Sequence, residues 1–155
     1  MWGQMADNQN HLKMPIKVTF QSEIINADND REFVVFGADG QYYIKGESEY
    51  IVFSEELEGK EKVDCFYKIT DKEVRLKRSG DINMLQSFRA GETTDGSYQG
   101  GGARFQFETE TEKVVMMKDP DKKRGCLQLD YKLKVQDQIT GQYLITINYE
   151  EEQAR

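Results

Sequence analysis

The fold is decided by the stretch VRLKRSGDINMLQSFRAGETTDGSYQGGGARFQF, Val74–Phe107, in which apolar and polar residues alternate around glycine-rich connections. Alternation with a period of two is the pattern of a strand that buries one face. The apolar spacing of three and four residues that an amphipathic helix requires is missing. We therefore predict antiparallel strands here, with Ala90–Gly102 as one long glycine-rich loop.

The same alternation recurs along most of the chain, with turn-forming residues between the alternating segments. Short strands separated by turns at roughly 8–12-residue intervals are typical of an all-β sandwich or barrel. Closing the sheet removes the open edges that would otherwise pair with other chains. We therefore predict an all-β fold, a single antiparallel up-and-down β-barrel of about 8–10 strands. The predicted strands are Ile16–Ile24, Glu32–Phe36, Gln41–Lys45, Tyr50–Leu57, Val63–Ile69, Val74–Arg78, Ile82–Phe88, Arg104–Thr109, Val114–Met117, Leu127–Val135 and Tyr143–Tyr149, with Ile139–Gln142 connecting the last hairpin.

One domain is expected, because 155 residues are a usual size for a single hydrophobic core. Residues 1–14 are polar and show no pattern, so we predict a disordered N-terminal tail there. The barrel domain then spans residues 15–151, and residues 152–155 form a C-terminal tail. No apolar run approaches the ~20 residues of a membrane span, and the first residues lack the features of a signal peptide. The predicted location is the cytoplasm.

The charge of the chain bears on its partners. With 28 acidic and 21 basic residues, the net charge is −7, which disfavours nonspecific binding to nucleic acid or to an anionic membrane. A group of basic residues that lie near each other in the sequence keeps nucleic acid as a minor alternative. These are Arg75, Lys77, Arg89 and Arg104.

The sequence carries no recognisable catalytic or metal-binding pattern. Its single histidine, His11, falls in the predicted tail, which leaves none for a catalytic triad or a multi-histidine metal site in the barrel. Cys65 shares the phase of the inward residues and Cys126 has the opposite phase, so we expect no disulfide between them. A set of carboxylates near one strand end is interpreted as a solvated rim. These are Glu55, Glu56 and Glu58. We predict a non-enzyme without metal or cofactor.

Arg78 is a charged residue that the alternation places inside the barrel, in phase with Val74 and Leu76. A buried guanidinium must meet a carboxylate, backbone carbonyls or an anionic ligand, because its desolvation is otherwise too costly. The glycine-rich loop lacks the lysine and the following helix of a phosphate-binding loop, and we interpret it as a lid that carries Tyr98. The candidate ligand-binding residues at this barrel mouth are Arg78, Met84, Phe88 and Tyr98.

Several short motifs share their order and spacing with a known family. They are Arg78-Ser79-Gly80, then Met84, Phe88, Gly91 and Tyr98, and the closing hairpin with Tyr131 and Tyr149. In these the chain resembles the YwiB-like family of uncharacterised bacterial proteins, typically from Gram-positive bacteria, over roughly residues 15–151. The resemblance implies a lipocalin-like (calycin-type) barrel. It implies no activity, because a fold alone does not specify function.

Two functions from different classes follow from these residues. The first is a non-enzymatic module that binds a small, partly apolar and anionic ligand in the barrel, against Arg78. The alternative is a protein-interaction or homodimerisation module with a filled barrel and no ligand. This alternative rests on two segments that are apolar on both faces, Glu32–Phe36 and Tyr50–Phe53. The apolar side chains on their outer face must be covered by a loop or by another chain.

Overall fold

The computed structural model describes residues 12–56 and 62–152 of the chain. In this part of the chain, ten antiparallel strands close into one barrel, in which each strand pairs with its neighbours in sequence and β1 pairs with β10. The predicted all-β, single antiparallel barrel of about 8–10 strands is therefore confirmed. The strands are β1 (Leu12–Asn26), β2 (Arg31–Lys45), β3 (Ser48–Glu56), β4 (Lys62–Ile69), β5 (Val74–Gly80), β6 (Ile82–Phe88), β7 (Thr93–Gly100), β8 (Ala103–Asp119), β9 (Arg124–Val135) and β10 (Gln138–Glu151).

A single short 3-10 helix, Pro120–Lys122, joins β8 to β9 in the described residues. Asp119 begins it, and its side chain accepts a hydrogen bond from the backbone N–H of Lys122 at 3.4 Å. No helical segment in this part of the chain has the length and apolar character of a bilayer-spanning helix.

Apolar side chains from most of the strands fill the interior of the barrel. Phe88 of β6 meets Tyr131 of β9 at a ring separation of 4.9 Å, although two strands lie between them in the wall. Tyr42 of β2 and Tyr149 of β10 stack at 4.9 Å across β1. Rings that meet across intervening strands occupy the centre of the barrel. Their burial is the main stabilising contribution, about 1.5–3 kcal/mol for each large apolar side chain.

Strand β2 runs unbroken from Arg31 to Lys45, where the sequence predicted two strands separated by Gly37–Gly40. That prediction is wrong, because the glycines do not make a turn. At Gly40 a Cβ atom would collide with the backbone carbonyl oxygen of Val52 on β3. Glycine is therefore needed at this position because the two backbones approach closely.

Strand β8 is likewise one strand, where the sequence predicted a break between Thr109 and Val114. A register shift between Thr111 and Lys113 marks a β-bulge, which inserts one extra residue into the strand. Before the bulge the odd-numbered Phe107 is buried, and after it the even-numbered Val114 packs against the core. An alternation that changes phase within a strand looks like two strands in the sequence.

The last hairpin turns earlier than predicted. β9 ends at Val135 and β10 begins at Gln138, so the connection is Gln136–Asp137 and not Ile139–Gln142. Both turn residues have positive φ, 51° and 64°. Two consecutive positive φ angles are the mark of the type I′ turn, whose twist matches that of the flanking strands.

Strand β1 begins at Leu12, before the predicted start of the domain at residue 15. Leu12–Met14 pairs with Tyr42–Ile44 of β2, and Met14 is buried. Residues 12–14 are thus part of the barrel, contrary to the prediction of a tail. Residues 1–11, which include His11, and residues 153–155 lie outside the described residues.

The two ends of the barrel differ. The turns at residues 27–29, 81, 101–102 and 136–137 all lie at one end, as the antiparallel strand order requires. Because Arg78 lies near the last residue of β5 at this end, we call it the Arg78 end. The connections from β2 to β3 and from β8 to β9 lie at the opposite end.

Candidate functional site

One stretch of the closed barrel has a strand partner on one side only. β2 pairs with β1 over Arg31–Ile44, but it pairs with β3 only over Gly40–Lys45. Residues Arg31–Asp39 therefore extend past the last residue of β2 that pairs with β3, and no strand among the described residues pairs with them on that side. We call Arg31–Asp39 the open edge.

The odd-numbered residues of the open edge direct their peptide groups away from β1. At the β1–β2 turn, the N–H of Asn26 donates to the carbonyl of Asp30 at 2.9 Å, and hydrogen-bonded pairs alternate along an antiparallel ladder. Even-numbered residues of β2 therefore bond to β1, and the N–H and C=O groups of the odd-numbered residues remain for a further strand. The odd-numbered residues are Arg31, Phe33, Val35, Gly37 and Asp39.

The side chains in the middle of the open edge are apolar and exposed. Phe33 is 69% exposed, Val35 62% and Val34 43%. Natural proteins protect an edge strand with lysine, proline or a bulge. Between Phe33 and Gly37 the open edge has none of these, and its register with β1 is unbroken. It therefore combines peptide groups that no described strand pairs with and apolar side chains that a partner can cover.

Arg78 lies on the inward phase of β5, and its partner is a carboxylate. Its guanidinium is 2.9 Å from the Oε1 atom of Glu55 on β3, and the two side chains are only 19% and 24% exposed. The interpretation of Glu55 as a solvated rim residue is wrong. The signal was present in the sequence, because Glu55 continues the inward alternation of Ile51 and Phe53.

The surroundings of Arg78 favour the charged form of its guanidinium and the neutral form of the neighbouring thiol. Burial lowers the pKa of Arg78, but the Glu55 carboxylate, followed by Cys65 and Tyr67, outweighs this effect and the net pKa lies above its ordinary value. Cys65 is the register partner of Arg78 on β4. Burial raises the pKa of the Cys65 thiol to about 11, although Arg78 acts in the opposite direction. The protonated thiol is a poor nucleophile at neutral pH.

Two of the other predicted site residues lie beside Arg78, and one does not. Arg78 is the register partner of Met84 on β6, and Met84 is the register partner of Tyr98 on β7. Phe88 lies at the far end of β6, where it is buried against Tyr131. The structure therefore brings together Arg78, Met84 and Tyr98 and assigns Phe88 to the core.

Arg78, Met84 and Tyr98 line an open pocket of about 610 Å³ at the Arg78 end. Most of its other lining residues have the outward phase, among them Lys77 and Leu85. The pocket therefore opens on the outer surface of the wall and does not lead into the middle of the barrel, which the apolar core occupies.

Tyr98 is held on a strand and not on a lid. Thr93–Gly100 forms β7 and pairs with Ala103–Glu110 of β8, so the prediction of a long loop at residues 90–102 is wrong. Gly96 is required by packing, because a Cβ atom there would lie 2.5 Å from the ring of Phe107. The sequence predicted that the glycines of residues 90–102 make a flexible loop. Gly96 instead makes room for the ring of Phe107.

Both cysteines are free, as their opposite phases predicted. Cys65 is buried and Cys126 is partly exposed. Among the described residues no group of three or more histidines, cysteines, aspartates or glutamates is arranged to hold a metal ion. Glu58, one of the carboxylates considered in the sequence, lies outside these residues.

Comparison with known proteins gives a consistent set of similarities. A family model described as "Domain of unknown function (DUF1934)" matches residues 18–147. The chain is 29% identical over 136 residues to the "Uncharacterized beta-barrel protein YwiB" of Bacillus subtilis (strain 168), and the match covers 88% of this chain and 93% of that protein. The crystal structure of the ywiB protein from Bacillus subtilis is similar with a TM-score of 0.82 at 26% identity, covering 94% of this chain and 98% of that one. The predicted resemblance to the YwiB-like family is confirmed.

Proposed function

The chain belongs to the DUF1934 family, and we propose that this member is a non-enzymatic protein-interaction module that pairs with a second copy of itself. The observation that carries the proposal is the open edge, where peptide groups without a strand partner in residues 12–56 and 62–152 lie beside the exposed side chains of Phe33 and Val35. Addition of a strand to an unpaired edge is a common mode of protein recognition. Self-pairing of identical edges around a two-fold axis is its simplest closed form.

The barrel interior supports an interaction module over a ligand carrier. Arg78 was the reason to expect an anionic ligand, and its charge is already compensated by Glu55 at 2.9 Å. At the same end, the rings of Phe20 and Phe36 stack at 4.9 Å, and Phe53 lies 6.2 Å from Phe36. Aromatic side chains thus fill the space that a ligand would need.

Charge favours one register for the proposed dimer. If two open edges pair antiparallel around an axis at Val35, Arg31 of each copy faces Asp39 of the other, and opposite charges on facing residues stabilise a strand pair. Phe33 then faces Gly37 of the other copy, and a ring laid over an edge glycine covers its exposed backbone. A register centred on Val34 would instead place Arg31 opposite Gly37.

Sedimentation velocity over a range of concentrations tests the proposal. The wild-type protein should approach twice the mass of the chain as its concentration rises. Phe33→Lys/Val35→Lys should remain monomeric, because two ammonium groups from each copy would have to be desolvated in the dimer. The matched control is Val115→Lys/Met117→Lys, which changes two exposed apolar residues of β8 and should dimerise like the wild type. A wild-type protein that stays monomeric at millimolar concentration contradicts the proposal.

A small ligand at the Arg78 end is the second candidate function. One observation favours it, namely that Arg78, Met84 and Tyr98 share one pocket of about 610 Å³. Native mass spectrometry of freshly purified protein should then show an additional small mass that Arg78→Met removes. The same spectrum without any bound mass would leave the self-pairing proposal unaffected.

The cytoplasm is the proposed location of the protein. Cys65 and Cys126 are both free thiols, and unpaired cysteines are usual in a reducing compartment. Labelling of the protein in fractionated cells tests this location, and recovery with secreted proteins would contradict it.

A further inference from the structure

The outer surface of the barrel carries a row of residues that the sequence does not reveal as a group. The register places five outward-facing residues directly opposite one another across β1 to β5. They are Lys13, Tyr43, Tyr50, Lys68 and Arg75. A second outward row lies beside it across β3 to β6. It consists of Val52, Phe66, Lys77 and Leu85. We call these two rows together the outer basic face.

The outer basic face has a charge opposite to that of the chain. The two rows contain four cations and no carboxylate, although acidic residues outnumber basic ones by 28 to 21 overall. Lys68 and Lys77 form no ion pair with any described residue. Glu73 lies at the margin and approaches the Nε atom of Arg75 to 3.4 Å. The chain as a whole has a net charge of −7, but this part of its surface is basic and can therefore bind an anion.

Aromatic side chains lie among these cations. The rings of Tyr43 and Tyr50 stack at 4.7 Å, and the ammonium group of Lys13 lies 5.9 Å from the centre of the Tyr43 ring. Phe66 and both tyrosines are partly exposed. Single-stranded nucleic acids bind to surfaces on which aromatic rings lie between cations. Each base has a π-face that can stack on a ring, while the phosphates contact Lys and Arg.

The shape of this surface agrees with its chemistry. Tyr50, Phe66, Lys68 and Arg75 line an open groove of about 500 Å³, to which Asp95 of β7 contributes one carboxylate against the three cations Lys68, Arg75 and Lys77. Lys77 and Leu85 are shared with the pocket of about 610 Å³ next to it, which extends to Arg104. From Lys13 to Arg75 the first row crosses four strand spacings, about 19 Å at ~4.8 Å each. That length suits a short binding site of about four nucleotides, at the lower end of the range for a small barrel.

We propose that the outer basic face binds single-stranded nucleic acid, with the bases stacked on Tyr50 and Phe66 and the phosphates at Lys68, Arg75 and Lys77. The aromatic residues favour a single strand over a duplex, whose bases are already stacked on each other. They also favour it over an acidic peptide, which needs cations but no row of rings. The binding does not depend on the open edge, which lies on another part of β2.

Fluorescence anisotropy with labelled dT12 and U12 oligonucleotides at low salt tests the proposal. Lys68→Glu/Lys77→Glu should weaken binding at least tenfold, and Tyr50→Ala about tenfold, because a stacked base is lost. The matched control is Lys122→Glu/Lys132→Glu, which makes the same charge change at exposed lysines elsewhere and should change binding less than threefold. The logarithm of the binding constant should fall with the logarithm of salt concentration with a slope of about −2 to −3, for three to four phosphate contacts with a single strand.

Three results would overturn the proposal. The first is the absence of binding to either oligonucleotide at 50 mM salt or less. The second is equal binding of heparin and oligonucleotides with no effect of Tyr50→Ala, since that identifies a general polyanion surface. The third is tighter binding of a labelled peptide rich in Asp and Glu, which identifies a protein partner. Circular dichroism and the Tm of each variant show whether the barrel is intact.

Discussion

The two halves of β2 belong to one strand and have different surroundings. Gly40–Lys45 lies between β1 and β3, and its Tyr42 is 5% exposed. Among the described residues Arg31–Asp39 pairs with β1 alone, and its Val34, which has the same inward phase as Tyr42, is 43% exposed. The even-numbered residues have the inward phase in both halves. The difference teaches that burial here is set by whether a neighbouring strand continues, and not by the local sequence.

The largest expected difference between the halves is in their aromatic residues. Tyr42→Ala should lower the free energy of unfolding by about 3–5 kcal/mol, the usual cost of removing a buried ring. Tyr42 stacks on Tyr149 at 4.9 Å, and its hydroxyl donates to Glu49 at 2.6 Å. Phe33→Ala should change the stability of the monomer by less than about 0.5 kcal/mol. Urea unfolding at low protein concentration measures both, and equal costs would contradict the description of the open edge.

The glycines of the two halves should differ next. Gly40→Ala should destabilise the protein by about 1–3 kcal/mol, because the new Cβ collides with the Val52 carbonyl of β3 and the backbones must separate. At Gly37 a Cβ would have only the Val18 carbonyl near it, at 3.7 Å. Gly37→Ala should therefore be tolerated within about 0.5 kcal/mol. The Tm of the two variants compares them, and a destabilised Gly37→Ala would mean that a further element covers the open edge.

The ion pair at the Arg78 end should have a smaller effect. β3 continues past its last pairing with β2, and there Glu55 turns to Arg78 at 2.9 Å. Glu55→Ala should cost about 1–2 kcal/mol, less than the 3–5 kcal/mol for a fully buried pair because both side chains are partly exposed. Glu55→Gln/Arg78→Met should recover part of this loss, since it leaves no unpaired charge. Full stability of Glu55→Ala would mean that the pair does not hold β3 and β5 together.

The thiols give the smallest effect, a difference in reaction rate without a change in stability. Because burial raises the pKa of Cys65 from 9.0 to about 11, the native thiol stays protonated as the pH rises from 7 to 10. At pH 9 its thiolate fraction should be about 50-fold lower than in the unfolded chain. Iodoacetamide labelling followed by mass spectrometry should therefore modify Cys126 well before Cys65. Equal rates at both cysteines in the native protein would place Cys65 outside the core.

Alternation alone predicted the barrel, its inward face and the opposite phases of the two cysteines. It failed where a glycine serves packing. Gly40 and Gly96 make room for the Val52 backbone and the Phe107 ring, and these contacts join residues far apart in the chain. The bulge between Thr111 and Lys113 could not be predicted from the local sequence either, because the extra residue shows only in the pairing of β8 with β9.

The candidate site was predictable only in part. The sequence pattern predicted that Arg78 points inward. It also contained the information that its partner Glu55 does so, because Glu55 continues the alternation of Ile51 and Phe53. The open edge was not, because the apolar segment Glu32–Phe36 gives no sign of where β3 ends relative to it. The outer basic face was also hidden, since its residues come from six strands and meet only through the register.

Amide hydrogen exchange along β2, followed by NMR at several protein concentrations, tests the central claim most directly. In the dilute protein, the amides of Phe33, Val35 and Gly37 should exchange fast, whereas Tyr43, an odd-numbered residue in the half that pairs with β3, should be protected. As concentration rises, the three open-edge amides should become protected together, with Val34 and Phe36 protected throughout. Fast exchange of Phe33, Val35 and Gly37 at every concentration would contradict pairing through the open edge.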